Sequence, residues 1–321
     1  MADTPVIDRD ARDSFERSLR GVLGQPGIDV VAALADLGWH DFLAVDAPAV
    51  VPLLFGMLGE MLLANAPLDD VAFDVLGPVG ADLREAGHVF AHPRRVTRAA
   101  AIRGSEIEVD GLVFGGREEA PIAVLVGSRV VSVPGNLLAS SSVAGMDPSL
   151  ELVHVRGRVA QSDVTAHDGV DDAAVAQACR RAIAYELLGA TDSMLATATE
   201  YAKVRTQFGQ PIGSFQAVKH RLADVLVARQ AAAAVVDESW RSEPECTTLA
   251  AKALAAHAGA LASENCLQVL GAIGFTLEHD LHRFVRRVRV LDRLYGAESE
   301  VRTELGRLLK ARRQVPRPGA A

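Results

Sequence analysis

The sequence predicts a mostly α-helical protein with a small β lobe in its middle. Composition points that way first: Ala, Leu and Val dominate a chain that is 49% hydrophobic, 23% charged and only 5% aromatic, a mix that favours packed helices with small-residue contacts. Periodicity is the second observation. Apolar residues recur at helix spacing to about residue 87, alternate at strand spacing between about 90 and 168, and return to long Ala-rich segments from about 171. Third, those Ala-rich segments are punctuated at Gly209-Gln210-Pro211, Ser242-Glu243-Pro244 and Gly271 to Gly274, as short turns between antiparallel helices would be. A single core stops growing near roughly 250–300 residues, so a chain of 321 residues is expected to hold two or three lobes. The expected division is an N-terminal α domain over 1–89, a β domain over 90–168 and a C-terminal helical bundle over 169–321.

In the first lobe Val30, Leu34 and Leu37, then Val51, Leu54, Leu58, Met61 and Leu62, recur between Gly and Pro breaks. The weakly charged stretch Val45 to Leu68 is interrupted by Asp46, Pro48, Pro52, Glu60 and Pro67. It falls short of the roughly 20 apolar residues that a membrane span needs, and is expected to be core. In the middle lobe Glu106 to Val109 alternates, Ile122 to Val126 is a β-branched run, and Leu152 to Val155 leads into Arg-Gly-Arg. The last lobe is expected to hold four or five helices. One begins at Ser214, whose hydroxyl could cap it, and sets Phe215, Val218, Leu222, Val225 and Leu226 on one face. The Arg- and Pro-rich tail Ala311 to Ala321 is expected to fray.

Charge and cysteine usage exclude several classes. Lys and Arg number 33 against 41 Asp and Glu, a formal charge of -8, which excludes a generally basic nucleic-acid binder. Met1 to Arg20 carries Asp3, Asp8, Asp10, Asp13 and Glu16 with no apolar core, against a secretory leader, so a cytoplasmic location is expected. Cys179, Cys246 and Cys266 are odd in number and far apart, and indicate neither a disulfide framework nor a zinc site. They read as packing residues.

The familiar nucleotide and hydrolase frames are absent. No Gly cluster follows a strand with G-x-G-x-x-G or G-x-x-x-x-G-K-[ST] spacing. Ser140-Ser141-Ser142 lacks a G-x-S-x-G frame, and no His pair has H-E-x-x-H spacing. The informative segment runs from Tyr201 through Arg205, Gln207, Phe208, Gly209, Pro211 and Ile212 to Phe215-Gln216. A fixed bidentate donor at a helix end beside a Gly turn suits a pyrophosphate, and Arg205 is such a donor. The competing reading is that Arg205 caps helix carbonyls and Gln268 is a core amide.

This segment resembles the R-x-x-F-G-x-P-I-x-x-F-Q signature of the acyl-CoA dehydrogenase family. Gln268-Val-Leu-Gly271-Ala-Ile-Gly274-Phe275 is similar to the family's Q-x-x-G-G-x-G, and Arg283-Phe284-Val-Arg286 to its basic R-x-x-R-D stretch. The resemblance is good over about Ala182 to Leu309 and weak in the first lobe, through Leu34-Ala-Asp-Leu37-Gly38-Trp39. It implies the family's fold of N-terminal α domain, β domain and C-terminal four-helix bundle. It further implies that Arg205, Gln207, Phe208, Gln268 and Gly271 contact an FAD seated mainly on a mate subunit, with an electron-transfer flavoprotein as acceptor and no metal.

The departures from the family bear on its chemistry. Where it holds a catalytic glutamate before a Gly, this chain has Tyr295-Gly296, and a phenol with a pKa of roughly 10 is a poor base for a thioester α-proton at neutral pH. The position used by other members falls near Cys179 or Arg180, again without a carboxylate; Glu186, Glu298 and Glu300 are the candidates for a displaced base. The β domain is short, no T-E-P-x-x-G-S stretch is found, and Ala44-Val-Asp-Ala-Pro48 stands where an E-x-x-G-G-x-G loop is usual. This combination resembles the small subunit of the α2β2 acyl-CoA dehydrogenases of actinobacterial steroid and cholesterol catabolism. That implies a larger partner supplying the base and most of the acyl-CoA pocket, with no nucleic acid or membrane partner. Two other readings stay open: a flavin-free assembly protein of the same fold, and a homo-oligomeric enzyme with hydratase or dehydratase chemistry.

Overall fold

The computed structural model describes residues 7–313 except 65, 97, 116–119, 144, 146 and 243. Part of the expected frayed tail, 314–321, therefore lies outside the described residues, as does Glu243 in the Ser-Glu-Pro break. Element types follow the three regimes of the sequence, but the chain folds as two compact units. One comprises the described residues to Leu54, Leu63–Ala182 and Leu294–Gly296; the other comprises Phe55–Leu62, Ile183–Arg293 and the described residues from Ala297.

The first unit opens with α1 (Arg9–Leu23), capped by Asp8, whose carboxylate accepts the Ala11 N–H at 2.8 Å. Phe15, Leu19 and Leu23, four residues apart, form its buried stripe. In α2 (Val30–Asp36) the cap is Asp29, which accepts from Val31 and Ala32. The next helix, α3 (Trp39–Met61), is broken at Asp46, where φ is -153° and ψ is 70°. There the carboxylate accepts the N–H of Ala49 at 3.1 Å and of Ile7 at 3.2 Å, restarting the helix ahead of Pro48 and Pro52. By length and mean hydropathy (1.8) α3 could cross a bilayer, but 61% of that window is buried within the protein. Two short helices follow, α4 (Pro67–Val75) and α5 (Pro78–Glu85), each with proline in its first turn.

Eight strands come next: β1 (Val89–Phe90), β2 (Ala100–Arg103), β3 (Glu106–Val113), β4 (Ile122–Val126), β5 (Arg129–Val133), β6 (Ala139–Ser142), β7 (Val153–Ala160) and β8 (Thr165–Asp168). They form two four-stranded sheets, ordered β1-β4-β5-β8 and β2-β3-β7-β6, antiparallel except for the β1–β4 pair. Ile107, Val109 and Val155 from one sheet and Ile122, Val124 and Val131 from the other share one apolar core. Alternation then turns Glu108, Asp110, Arg156 and Arg158 to the opposite face. Gly111 eases the passage of β3 against the preceding segment, since a Cβ there would lie 3.1 Å from those of Ala91 and Ala99.

The long helix α6 (Asp172–Val204) begins in the first unit and continues from Ile183 in the second, where α7 (Gln216–Glu238), α8 (Pro244–Leu270), α9 (Leu281–Arg293) and α10 (Glu298–Arg312) complete the helices. Between α6 and α7 lie the short strands β9 (Thr206–Gln207) and β10 (Gln210–Pro211). A Cβ at Gly59 would sit 2.0 Å from the Glu186 carbonyl oxygen, and one at Gly189 would sit 2.0 Å from that of Gly56. The end of α3 and this part of α6 therefore meet backbone to backbone.

Two sequence expectations are corrected here. Ser214 does not cap α7: Phe215 is the N-cap residue, with no side-chain cap, and the Ser214 hydroxyl donates to the Pro211 carbonyl at 2.7 Å. Nor does Leu226 join the buried stripe, for it is 47% exposed. Burial on α7 follows Val225, Ala232 and Val236, spaced seven and four, which leaves Leu226 about 100° around the helix from that line.

Candidate functional site

In the second unit, α6 ends at Val204 and Arg205 starts a tight hairpin. Gln207 pairs with Gln210 and Thr206 with Pro211, and the Ile212 N–H donates to the Arg205 carbonyl at 2.8 Å. The two residues at the turn, Phe208 and Gly209, have φ of 52° and 79°. A two-residue turn of this type demands φ > 0 at both positions, which glycine accepts readily and phenylalanine does not. The Phe208 ring is 92% exposed and meets Phe215 edge-on, centroids 6.1 Å apart. Arg205 and Gln207 are exposed, and the Arg205 guanidinium has no partner among the described residues. It does not cap helix carbonyls.

Gln268 lies in the last turn of α8 and Gly271, with φ 65°, opens the 3₁₀ turn Gly271–Phe275. Gln268 is exposed, which removes the reading of it as a core amide. Near it, Arg221 donates to the Asn265 side chain at 2.9 Å while the Asn265 amide donates back to the Arg221 carbonyl at 3.1 Å. Arg221 lies five residues into α7 and Asn265 five before the end of α8. This clasp therefore sets the Arg205–Phe208 hairpin and the Gln268–Gly271 turn at the same end of the α7–α8 pair.

The first unit holds the positions at which a catalytic carboxylate was sought. Tyr295, with φ 56°, is held through its backbone: its N–H donates to the Pro93 carbonyl at 2.9 Å, and Arg180 Nε donates to its carbonyl at 3.4 Å. Its side chain is buried at 2% exposure, with the hydroxyl 2.9 Å from Nδ1 of His92, itself at 0%. His92 Nε2 lies 2.7 Å from Asp69 Oδ1, while Asp69 Oδ2 accepts the Phe90 N–H at 3.1 Å. With Nε2–H donating to the carboxylate, Nδ1 accepts the Tyr295 O–H. The Cys179 thiol lies beside the Tyr295 hydroxyl. Phe90, Phe114 and Tyr295 ring His92 at centroid distances of 5.2, 5.2 and 5.7 Å.

None of these groups is free to act as a base: Tyr295, His92 and Cys179 are buried, and the Asp69 carboxylate is committed to His92 and the Phe90 N–H. Burial, reinforced by Cys179 and Asp69, pushes the Tyr295 phenol well above its usual value, and burial raises the Cys179 thiol to about 12. Burial also raises Asp69 against the opposing pull of His92 and the Phe90 N–H. Glu186 is no displaced base either: it is fully buried in the second unit, where Arg287, equally buried, donates to it at 2.7 Å. Glu298, in the second unit at the start of α10, accepts from Arg302 at 2.9 Å and lies 3.7 Å from His257. Glu300 occupies the same first turn. Asp69 and His92 carry no recognisable sequence signal, and Cys179 read only as packing. Among the described residues no group of three or more His, Cys, Asp or Glu could hold a metal ion.

Residues 173–307 match the family described as acyl-CoA dehydrogenase, C-terminal domain. The acyl-CoA dehydrogenase IpdE2 of Mycobacterium tuberculosis is 36% identical over 163 residues, which cover 51% of this chain and 49% of that one. The match thus spans about half the length of this curated relative. Among solved structures, the ChsE4–ChsE5 complex from Mycobacterium tuberculosis superposes with a TM-score of 0.73 at 19% identity, over 98% of this chain and 99% of that one. The steroid ACAD Tcur3481–Tcur3483 superposes with a TM-score of 0.71 at 20% identity, over 94% and 96%. The acyl-CoA dehydrogenase fold therefore extends over both units, beyond the segment that the family match covers.

Proposed function

We propose that this chain is the base-less subunit of an α2β2 FAD-dependent acyl-CoA dehydrogenase that introduces a Cα=Cβ double bond into a bulky, steroid-type acyl-CoA. The observation that carries the reading is a contrast. Both places for a catalytic carboxylate are closed by Tyr295, Cys179, His92 and Asp69, while Arg205, Gln207, Phe208 and Gln268 stand exposed at one end of a helix pair. These exposed residues suit the group: a free guanidinium for a pyrophosphate, amides for its polar rim and an open aromatic face for stacking. FAD, when bound, supplies the hydride acceptor. Arg205 and Gln207 would hold its phosphates across a subunit boundary, Phe208 would cover one of its ring systems, and Gln268 would orient it by hydrogen bonding. The larger subunit would supply the glutamate and most of the acyl-CoA pocket. Support for such a partner comes from the ChsE4–ChsE5 complex and the steroid ACAD Tcur3481–Tcur3483, which share the fold.

Hydratase or dehydratase chemistry needs an acid and a base that water and substrate can reach, whereas His92 and Tyr295 are buried and the Asp69 carboxylate is committed to His92 and the Phe90 N–H. The test is to purify the chain alone and co-expressed with a larger acyl-CoA dehydrogenase subunit, then measure flavin absorbance and turnover. The lone chain should be colourless and inactive, and the complex yellow and active. Near-stoichiometric FAD and acyl-CoA turnover on the lone chain would overturn the proposal.

A further inference from the structure

The outward face of the β2-β3-β7-β6 sheet carries a groove of about 770 Å³ that shares no residue with the flavin motifs or the sealed Tyr295 cluster. Its floor is made of small residues, Ala99, Ala100, Ala101, Ala139 and Gly157, so that a ligand can come close to the backbone. Its charged rim follows from strand register. Glu108 on β3 stands opposite Arg158 on β7, and Asp110 stands opposite Arg156. Cross-strand neighbours of opposite charge ordinarily pair.

The Glu108 pair forms, Arg158 donating at 3.2 Å while Arg103 donates to the other oxygen at 3.3 Å. The Asp110 pair does not. Its carboxylate is taken by Arg94, which donates to both oxygens at 3.1 and 3.2 Å, and by His154 at 2.6 Å. Arg156 is left exposed, with no partner among the described residues. The groove is lined by four guanidiniums, those of Arg94, Arg98, Arg156 and Arg158, against two carboxylates, Glu108 and Asp110, on a chain whose formal charge is -8. Both carboxylates stay ionised. Arg158 and Arg103 hold Glu108 below its usual range, and at Asp110 the effect of burial is outweighed by His154 and Arg94. They act as brackets that fix the guanidiniums in place.

We propose that this groove binds a small molecule through a diphosphate group. Arg156 and Arg158 are two residues apart on one strand face, about 7 Å, which lets each guanidinium take one of two linked phosphoryl groups. Guanidinium forks match phosphate oxygens in geometry as well as charge, and the volume lies in the range of small-molecule sites. The shared chemistry has two sources, free pyrophosphate or a nucleoside diphosphate.

Titration calorimetry of the full-length chain at low salt with inorganic pyrophosphate, ADP and orthophosphate distinguishes them. Pyrophosphate or ADP should bind with a Kd below 1 mM and at least tenfold more tightly than orthophosphate. Tighter binding of ADP than of pyrophosphate assigns the site to the nucleotide, and equal binding assigns it to the diphosphate alone. Arg156→Ala should weaken binding at least tenfold and Arg156→Lys by less. Arg129→Ala, which removes an arginine paired with Asp168 on the other sheet, should change nothing. No binding of either diphosphate below 1 mM, equal affinity for orthophosphate, or a folded Arg156→Ala variant that binds as tightly as the parent would overturn the proposal.

Discussion

Replacing Tyr295 by phenylalanine removes one oxygen atom from a side chain that is 2% exposed, beside His92 at 0%. The ring and its contact with His92 remain, so the cost arises from hydrogen bonding and not from packing. His92 Nδ1, 2.9 Å from the lost hydroxyl and 0% exposed, becomes a buried acceptor without a donor, because its Nε2–H is committed to Asp69 at 2.7 Å. Leaving such a group unsatisfied costs about 1–3 kcal/mol, and the weakly donating Cys179 thiol adds little. For a unit of this size 1 kcal/mol lowers Tm by roughly 2–4 °C, so a drop of about 2–12 °C in a calorimetric melt of the complex is expected. Turnover per bound FAD should stay within twofold of the parent, since a sealed phenol cannot act on substrate. An unchanged Tm would refute the hydrogen-bond chain. Lost turnover with FAD retained and a small change in Tm would refute its exclusion from catalysis.

Arg205→Ala in the co-purified complex should weaken FAD retention tenfold or more, read as the flavin-to-protein ratio after dialysis, because charge-assisted hydrogen bonds are worth about 1.5–3 kcal/mol. Arg205→Lys should restore only part of it, as a point charge lacks the planar fork. Glu186→Gln should destabilise the second unit by about 3–5 kcal/mol in urea denaturation by removing the buried carboxylate to which Arg287 donates at 2.7 Å, whereas Glu186→Leu with Arg287→Met should be much milder. Cys179 and Cys266, buried and with thiols raised to about 12, should resist iodoacetamide at pH 8 until denaturant is added. Mass spectrometry that finds rapid native-state labelling at either would contradict that burial.

What the sequence revealed depended on how local each feature's cause is. Strands at Glu106–Val113 and Ile122–Val126 follow from alternation within a few residues, and the Arg205–Phe208 turn from its Gly209-Gln210-Pro211 neighbourhood. The hairpin's strained Phe208 is a local fact that composition does not reveal, for phenylalanine carries no preference for φ > 0. The break in α3 was within reach, since an aspartate two residues before Pro48 is a restart signal, but the apolar run around it masks that signal. Ser214 misled because a capping residue caps only where the backbone places its hydroxyl over the first free N–H groups, and the turn at Pro211 claims that hydroxyl. The cluster at Tyr295 was out of reach. Its members stand at positions 69, 92, 179 and 295, with no spacing to connect them, and each alone has an ordinary explanation. Only the substitution at Tyr295 was legible, as a missing carboxylate; the three residues that make it a fitted replacement were not.

That fit bears on the history of the chain as well as on its stability. Placing a glutamate at 295 would set a carboxylate against the buried His92 and within the field of Asp69. The new acid would be held neutral or would disrupt the core around it. No single change reopens the position, because His92 stays anchored to Asp69 and to the backbone of Leu112, whose N–H and C=O it engages at 2.9 and 2.7 Å. The cluster of Asp69, His92, Tyr295 and Cys179 would work as an evolutionary ratchet: under the function proposed above, once assembled it would make reliance on a partner subunit for the proton-abstracting step hard to reverse.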